Sequence, residues 1–484
     1  MARARRCRDG GAISGDGRPA GPRPTRQGPR HCRAVTGVSA RFVPAHPARP
    51  AAIAPVWRSL FNEHSRNAIA GWSHAAFSEW HTRRVVLGTV VHIPRHPDAV
   101  ERVLLTNAAN YEKPRLVKRV VAPLLGRGLV SSDGELWRTQ RKLVAPSFAP
   151  GAITRLTGLI AEAAERSAAT LPQSGSVDIA GIATATTMRI IAEALFSGDP
   201  RLMTLEASRQ IEAALLAAGK VRIMALLGMP HVRLTPSARA GGRAQRWLRD
   251  TLGAIVRERG PEGGSDFIGG MISNLHERFP ADEAVELAID NAATFYVAGH
   301  ETTANALAWS AYLLAGDPDV QARARAEAVA ALNGSPEGLA DRLPYLRQVL
   351  DEAMRLYPPA PRFEREAMAD DELHGVTISK GDIVSIWPWL VHRHQELWRD
   401  ADAFDPDRFA PEAAAQRHRF QYLPFGGGPR VCVGARFATV EALIILAHWL
   451  AARRFALVEG AVVDPLGSVT LRPRGGLTLA VASA

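Results

Sequence analysis

The run from Asp282 to Ala315, DEAVELAIDNAATFYVAGHETTANALAWSAYLLA, constrains the fold more than any other segment of the chain. It carries no proline and closes at Gly316-Asp317-Pro318. At 1.5 Å per residue, a helix of that length spans about 50 Å. Its apolar side chains fall on nearly every face, so it has to pass through the core rather than lie on a surface. A chain built around such a helix needs other helices to cover it. Leu136–Val144, Ala152–Leu171, Ala183–Phe196, Pro236–Arg259, Asp319–Leu332, Pro344–Leu356 and Gly434–Ala452 all read as helices by periodicity and by their start and stop residues. Asp98–Leu105 reads as a short one. Val85–Ile93 alternates and ends at Pro94, which predicts a strand. Residues 376–378 and 383–386 predict a hairpin turned by Ser379-Lys380-Gly381-Asp382, and 455–482 predict short strands. The expected fold class is mainly α with a small β lobe.

The charge is unevenly placed. The whole chain of 484 residues carries +11, but residues 1–50 hold eleven Arg, no Lys and two Asp. The rest of the chain is close to neutral. Residues 1–40, rich in Arg, Gly and Pro, hold too little apolar surface to offset chain entropy and are expected to be a disordered extension, with 41–484 as the folded domain. A nucleic-acid arm or an Arg-rich transit segment are the other uses of such composition, but a near-neutral body argues against a nucleic-acid binder. No run of eighteen or more apolar residues occurs, so no transmembrane anchor is expected, and the location expected is cytoplasmic.

Cys7 and Cys32 lie in the extension, leaving Cys432 as the one cysteine of the body. A lone cysteine is ordinarily a small buried hydrophobe. Its surroundings argue otherwise: Phe425-Gly426-Gly427-Gly428-Pro429-Arg430-Val431-Cys432-Val433-Gly434. Glycines let backbone approach something flat or bulky. A helix start favours a thiolate and lowers its pKa. Arg430 suits an anionic group, Gly434 leaves room beside the sulfur, and Phe425 offers an aromatic shield. A glycine loop before a helix also suits phosphate, but the lysine-containing signature of such loops is absent.

The pattern Phe-x-x-Gly-x-Arg-x-Cys-x-Gly resembles the haem-binding signature of the cytochrome P450 family, matching at all five fixed positions. Further motifs follow in that family's order, so the resemblance covers residues 41–484. Ala298-Gly299-His300-Glu301-Thr302-Thr303 in the long helix is similar to the oxygen-binding groove. There Ala298 and Gly299 leave room, and Thr302 can bond back to the Ala298 carbonyl. Glu301 and Thr302, an acid beside an alcohol, can move protons. Phe295, Ala298 and Thr302 share a helical face. Glu352-Ala353-Met354-Arg355 resembles the family's Glu-x-x-Arg pair, and Arg408 its third member, although Asp407 stands where Glu is usual. Trp137, Arg141 and Arg365 resemble the residues that meet the haem propionates, while Arg362 and Phe363 would lie nearer substrate. His392 and His394 have no matching ligands and read as structural.

The resemblance implies a cytochrome P450 fold, with haem b (iron protoporphyrin IX) between the long distal helix and the Cys432 loop, and Cys432 as axial iron ligand. It implies a monooxygenase that uses dioxygen and electrons from NAD(P)H, delivered by a ferredoxin or flavodoxin with its reductase. A lipophilic substrate such as a fatty acid or terpenoid would sit among residues 111–130, Phe295, Ala298, 360–363 and the 467–469 turn. The protein is expected to be a monomer. A peroxide-using peroxygenase and a non-catalytic haem sensor are the alternatives, both disfavoured by the intact Glu301-Thr302 pair. Exposed Arg138, Lys142, Arg417, Arg419 and Arg436 are expected to form a basic patch for the acidic electron donor.

Overall fold

In a computed structural model, residues 41–52, 67–86, 88–219, 236–264 and 266–484 are described. The expectation for residues 1–40 lies outside them. Arg41–Ala484 forms one compact unit.

The long helix runs from Ala281 to Gly316, 36 residues. From Leu287 to Ala315 nearly every side chain is buried, as its all-round apolarity requires. Its few polar side chains fasten neighbours. Asp290 accepts from the Arg127 amide (2.7 Å) and from the Arg249 guanidinium (2.6 Å), while Asn291 accepts from the Leu129 amide (2.9 Å). The segment 126–129 is thereby tied to the middle of the core. The helix packs most extensively on Ile179–Phe196, where Gly299 permits close approach: a Cβ there would lie 2.6 Å from Ile191.

Pro150–Thr170, Pro236–Arg259, Pro318–Leu332, Pro344–Leu356 and Ala435–Ala452 match their sequence readings within a few residues. Three further helices, Arg115–Leu125, Leu205–Gly219 and Phe267–His276, break the simple signals. The first contains Pro123, and the third contains Gly269, packed backbone to backbone on Gly264. Ile179–Phe196 and Ala435–Ala452 are long and apolar enough to cross a membrane by length and composition. Both are instead packed inside the fold, the first on the long helix and the second on Pro150–Thr170.

Two strand readings need correction. Val85–Ile93 is not one strand: His81–Val86 and Thr89–Pro94 form an antiparallel hairpin, reversing at Gly88 with φ +82°. Nor do 376–378 and 383–386 pair with each other. Val376–Ile378 pairs with Asp371–Leu373, and Ile383–Ile386 enters a five-stranded sheet. That sheet has the order 81–86, 89–94, 383–386, 363–367, 111–112, with only the contact between 89–94 and 383–386 parallel. Local turn chemistry is the same in either arrangement. Burial of Val384 and Ile386 beside Thr89–Pro94 and Phe363–Ala367 decides it.

Candidate active site

The Cys432 loop is shaped by backbone. Gly426 (φ +72°) and Gly428 (φ +63°) adopt the left-handed region, and a Cβ on Gly428 would fall 1.7 Å from the Leu104 carbonyl oxygen. Turned this way, the loop lets the Cys432 amide donate to the Phe425 carbonyl (2.9 Å). The helix that follows begins at Ala435, with Gly434 as its N-cap residue. Cys432 carries open surface although protein surrounds it at slightly longer range. Burial pushes its thiol up, against the Gly434 N–H and the Arg141 guanidinium, which pull it down. The expected lowering by the helix start is therefore outweighed. A thiolate here needs a cationic centre at the sulfur, and a coordinated metal supplies one.

A chain of buried contacts holds this loop from behind. Arg355 donates to Glu352 through two nitrogens (2.6 and 2.8 Å), and to the carbonyls of His392 (2.7 Å), Ala401 (2.7 Å) and Ala403 (3.1 Å). Glu352 also accepts from the Asp405 amide (3.0 Å) and lies 3.4 Å from Arg408. His392 accepts from the Leu423 amide at Nε2 (2.7 Å), two residues before Phe425. His394 stacks on Trp80 (4.0 Å) and reaches the Glu79 carbonyl. These two histidines are thus packing and hydrogen-bonding residues.

On the long helix, Ala298, Gly299, Glu301 and Thr302 interrupt an otherwise buried stretch. Thr302 Oγ1 donates to the Ala298 carbonyl (2.8 Å), as its position four residues on allows. Ala298 is exposed. The space beside Gly299 is taken by Ile191, so that glycine serves helix packing rather than opening room. Phe295 also departs from expectation. It is buried among Phe148 (5.9 Å) and Phe267 (5.0 Å) instead of facing a pocket with Thr302. Phe148 lies against Gly434 as well, so one aromatic side chain joins the distal helix to the Cys432 loop. Glu301 accepts from Thr470 Oγ1 (2.7 Å), a partner that the sequence did not suggest.

A cluster of cations flanks the loop. Arg430 donates to the Ser132 carbonyl (2.8 Å), pairs with Asp133 and lies over the Trp137 ring (3.9 Å). Lys113 donates to the same Ser132 carbonyl (3.0 Å), and Lys118 pairs with Asp133 (2.8 Å). Arg365, close enough to depress Lys113, donates to the Glu364 carbonyl (2.9 Å). Burial, then the neighbouring Arg430, brings Lys113 down to about 7. Lys113, Lys118 and Arg430 thus share the single carboxylate of Asp133, with Glu112 beside Lys118, which leaves cationic donors in excess. Two propionate carboxylates are what such a set suits. Lys113, Lys118 and Asp133 escaped sequence reasoning because only the fold brings 113–118, 132–137, 365 and 430 together. Arg362 is drawn to Glu364 (3.5 Å) and the Trp387 ring (5.2 Å), and Phe363 sits opposite Ile386 in the sheet.

The family model for Cytochrome P450 matches residues 81–479. The chain belongs to the cytochrome P450 family. Cyclooctatin synthase of Streptomyces melanosporofaciens is 32% identical over 394 residues, 79% of this chain and 84% of that one. Cyclooctat-9-en-7-ol 5-monooxygenase of the same organism is 32% identical over 374 residues, 76% and 81% of the two chains. Among solved structures, a cytochrome P450DA haem domain superposes with a TM-score of 0.71 at 26% identity, over 84% of this chain and 90% of that one. This P450 is a haem-dependent monooxygenase of mainly α fold with small sheets.

Proposed function

We propose that this P450 uses dioxygen and externally supplied electrons to hydroxylate or epoxidise a lipophilic small molecule, with Cys432 as the axial iron ligand. The observation that carries the reading is Cys432, presented on its glycine loop, together with the break in burial at Ala298, Gly299, Glu301 and Thr302 on a helix that Phe148 joins to that loop through Phe295 and Gly434. Lys113, Trp137, Arg141, Arg365 and Arg430 would hold the propionates, and Phe425, Gly426 and Gly434 would line the thiolate side. Bound haem supplies the oxygen-activating chemistry. The protein's share is to present the sulfur, exclude water and move protons. Thr302 holds the alcohol, and Glu301 is the neighbouring acid, raised by its burial. Ala298, Thr302, Arg362 and Phe363 are assigned to the substrate side. A terpenoid or fatty acid is the proposed substrate class, and two relatives carry the names of cyclooctatin and cyclooctat-9-en-7-ol. A cytoplasmic location and a monomeric state are part of the proposed reading.

Thr302→Ala should still consume NAD(P)H but release more peroxide and roughly 100-fold less product, the lower edge of what a positioned proton donor contributes. Equal coupling in the variant and the parent would remove the proton role and favour peroxide-driven chemistry.

Electrons would enter over Gly134–Val144, where Arg138 and Lys142 are exposed four residues apart, with Arg419 and Arg436 also exposed. Arg417 does not belong to this patch. It packs against Trp398 (4.5 Å) and Phe409 (4.4 Å). A ferredoxin or flavodoxin with its reductase is the matching acidic donor. Arg138→Glu/Lys142→Glu should slow reduction by an acidic ferredoxin several-fold at low salt, with the gap closing as salt screens exposed charge. Equal rates across a salt series would place docking elsewhere.

A further inference from the structure

Glu301 turns away from its own helix to a second element. The hairpin of Pro465–Gly467 and Leu471–Pro473 runs past it. This hairpin is pinned on its inner side: the Trp309 indole donates to the Leu471 carbonyl (3.1 Å), and the Leu471 amide donates to the Pro359 carbonyl (3.0 Å). Leu471 itself is fully buried. Alternation along the strand puts Thr470 and Arg472 together on the other side. There Thr470 holds Glu301 Oε1 at 2.7 Å, and Arg472 Nη1 stands 3.9 Å from the same oxygen. Arg472 reaches equally toward Glu212 on Leu205–Gly219, at 3.6 Å. Its side chain is 15% exposed, that of Glu301 13%, and that of Glu212 61%. One guanidinium thus stands between a nearly buried acid and an open one. Among the described residues, the other Glu301 oxygen is buried without a hydrogen-bond partner, as is the Asn305 amide nitrogen one turn along the helix.

We propose that Arg472 is a positioning residue for oxygen activation, holding the Glu301 carboxyl by one oxygen together with Thr470 and linking it to Glu212 and solvent. The proposal rests on the monooxygenase reading above. A guanidinium does not give up its proton, so Arg472 acts through charge rather than as a relay member. Thr470 fixes where Oε1 points, which leaves Oε2 as the oxygen able to turn toward Thr302. Arg472 offsets the cost of ionising a carboxyl this deep. Glu212 competes for the same cation. Among the described residues, the charged groups facing Glu301 are Arg472 from the hairpin and Glu212 from Leu205–Gly219. The two substitutions should act in opposite directions, which a purely structural role does not predict.

The test uses the ferric, haem-loaded full chain and the infrared carboxyl stretch of Glu301, isolated by subtracting the spectrum of Glu301→Gln across a pH series. Arg472→Met should move the Glu301 titration up by about one pH unit, the scale of one nearby opposite charge. Arg472→Lys should restore at least half of that shift, and Glu212→Gln should move the titration down. Dodecanoic acid and a reductase system then give the functional readout: peroxide released per NAD(P)H should rise several-fold in Arg472→Met and return toward the parent in Arg472→Lys. An unmoved Glu301 titration in Arg472→Met overturns the proposal, as does a Glu212→Gln shift of the same sign. Loss of the thiolate-type carbon monoxide band in the parent protein would instead overturn the underlying reading of Cys432.

Discussion

A Cys432→His variant should lose the red-shifted band of the reduced carbon monoxide adduct that marks thiolate ligation. Product formation should fall by about 100-fold or more, the upper scale on which groups merely surrounding a metal site act. No other body cysteine exists to replace it. The reasoning extends to the protein without haem. Burial outweighs the pull of the Gly434 N–H and Arg141, so the thiol lies above its ordinary value of 9.0. With Cys7 and Cys32 changed to Ser, alkylation of Cys432 should be slow at neutral pH and should climb only as pH passes that value. Haem loading should abolish it. A red-shifted band retained in Cys432→His would exclude this residue as the ligand.

Arg355→Met should be the most damaging substitution for stability. The guanidinium is fully buried and makes five hydrogen bonds, two to Glu352 and three to carbonyls at 392, 401 and 403. Its removal leaves Glu352, also fully buried, with the Asp405 amide, Arg408 at 3.4 Å and the more distant Arg417 to offset its charge. Breaking a buried pair on one side costs about 3–5 kcal/mol. Whole domains are stable by only about 5–15 kcal/mol. The same substitution frees the His392 carbonyl, and His392 is what holds Leu423 ahead of the haem loop. Expression should therefore yield protein with a low haem-to-protein ratio and a depressed Tm. Arg355→Lys should rescue little, since an ammonium cannot address five acceptors in a plane. A haem ratio equal to the parent, with Tm within about 2 °C of it, would show that the network is dispensable.

The interruption of burial on the long helix illustrates how structure refined the sequence reading. Thr302 and the Ala298 carbonyl were readable because they are four residues apart on one helix, where geometry is fixed by the chain itself. Phe295 shares that face by spacing, yet packs with Phe148 and Phe267, because side-chain direction near a helix surface is settled by the neighbours available. Gly299 was legible as an opening but not as the contact point of Ile191. The pairing of strands 376–378 and 383–386 failed for the same reason: a turn motif is local, whereas strand partners are chosen by which hydrophobic faces meet.

What the sequence by itself determined is what depends on local spacing and on residue chemistry: the long buried helix, the glycine-dense cysteine loop, the acid–alcohol pair, and the Glu352-x-x-Arg355 turn. These need only backbone geometry and the nature of their side chains. The tertiary structure alone decided which distant groups share a site. It gathers Lys113, Lys118, Asp133, Arg365 and Arg430 into one basic cluster, and it sets Thr470 and Arg472 against Glu301, 169 positions away in the case of Thr470. Charges and hydrogen bonds act through space over a few ångströms, and no periodicity in the chain encodes which remote segments the packing of the core will bring that close.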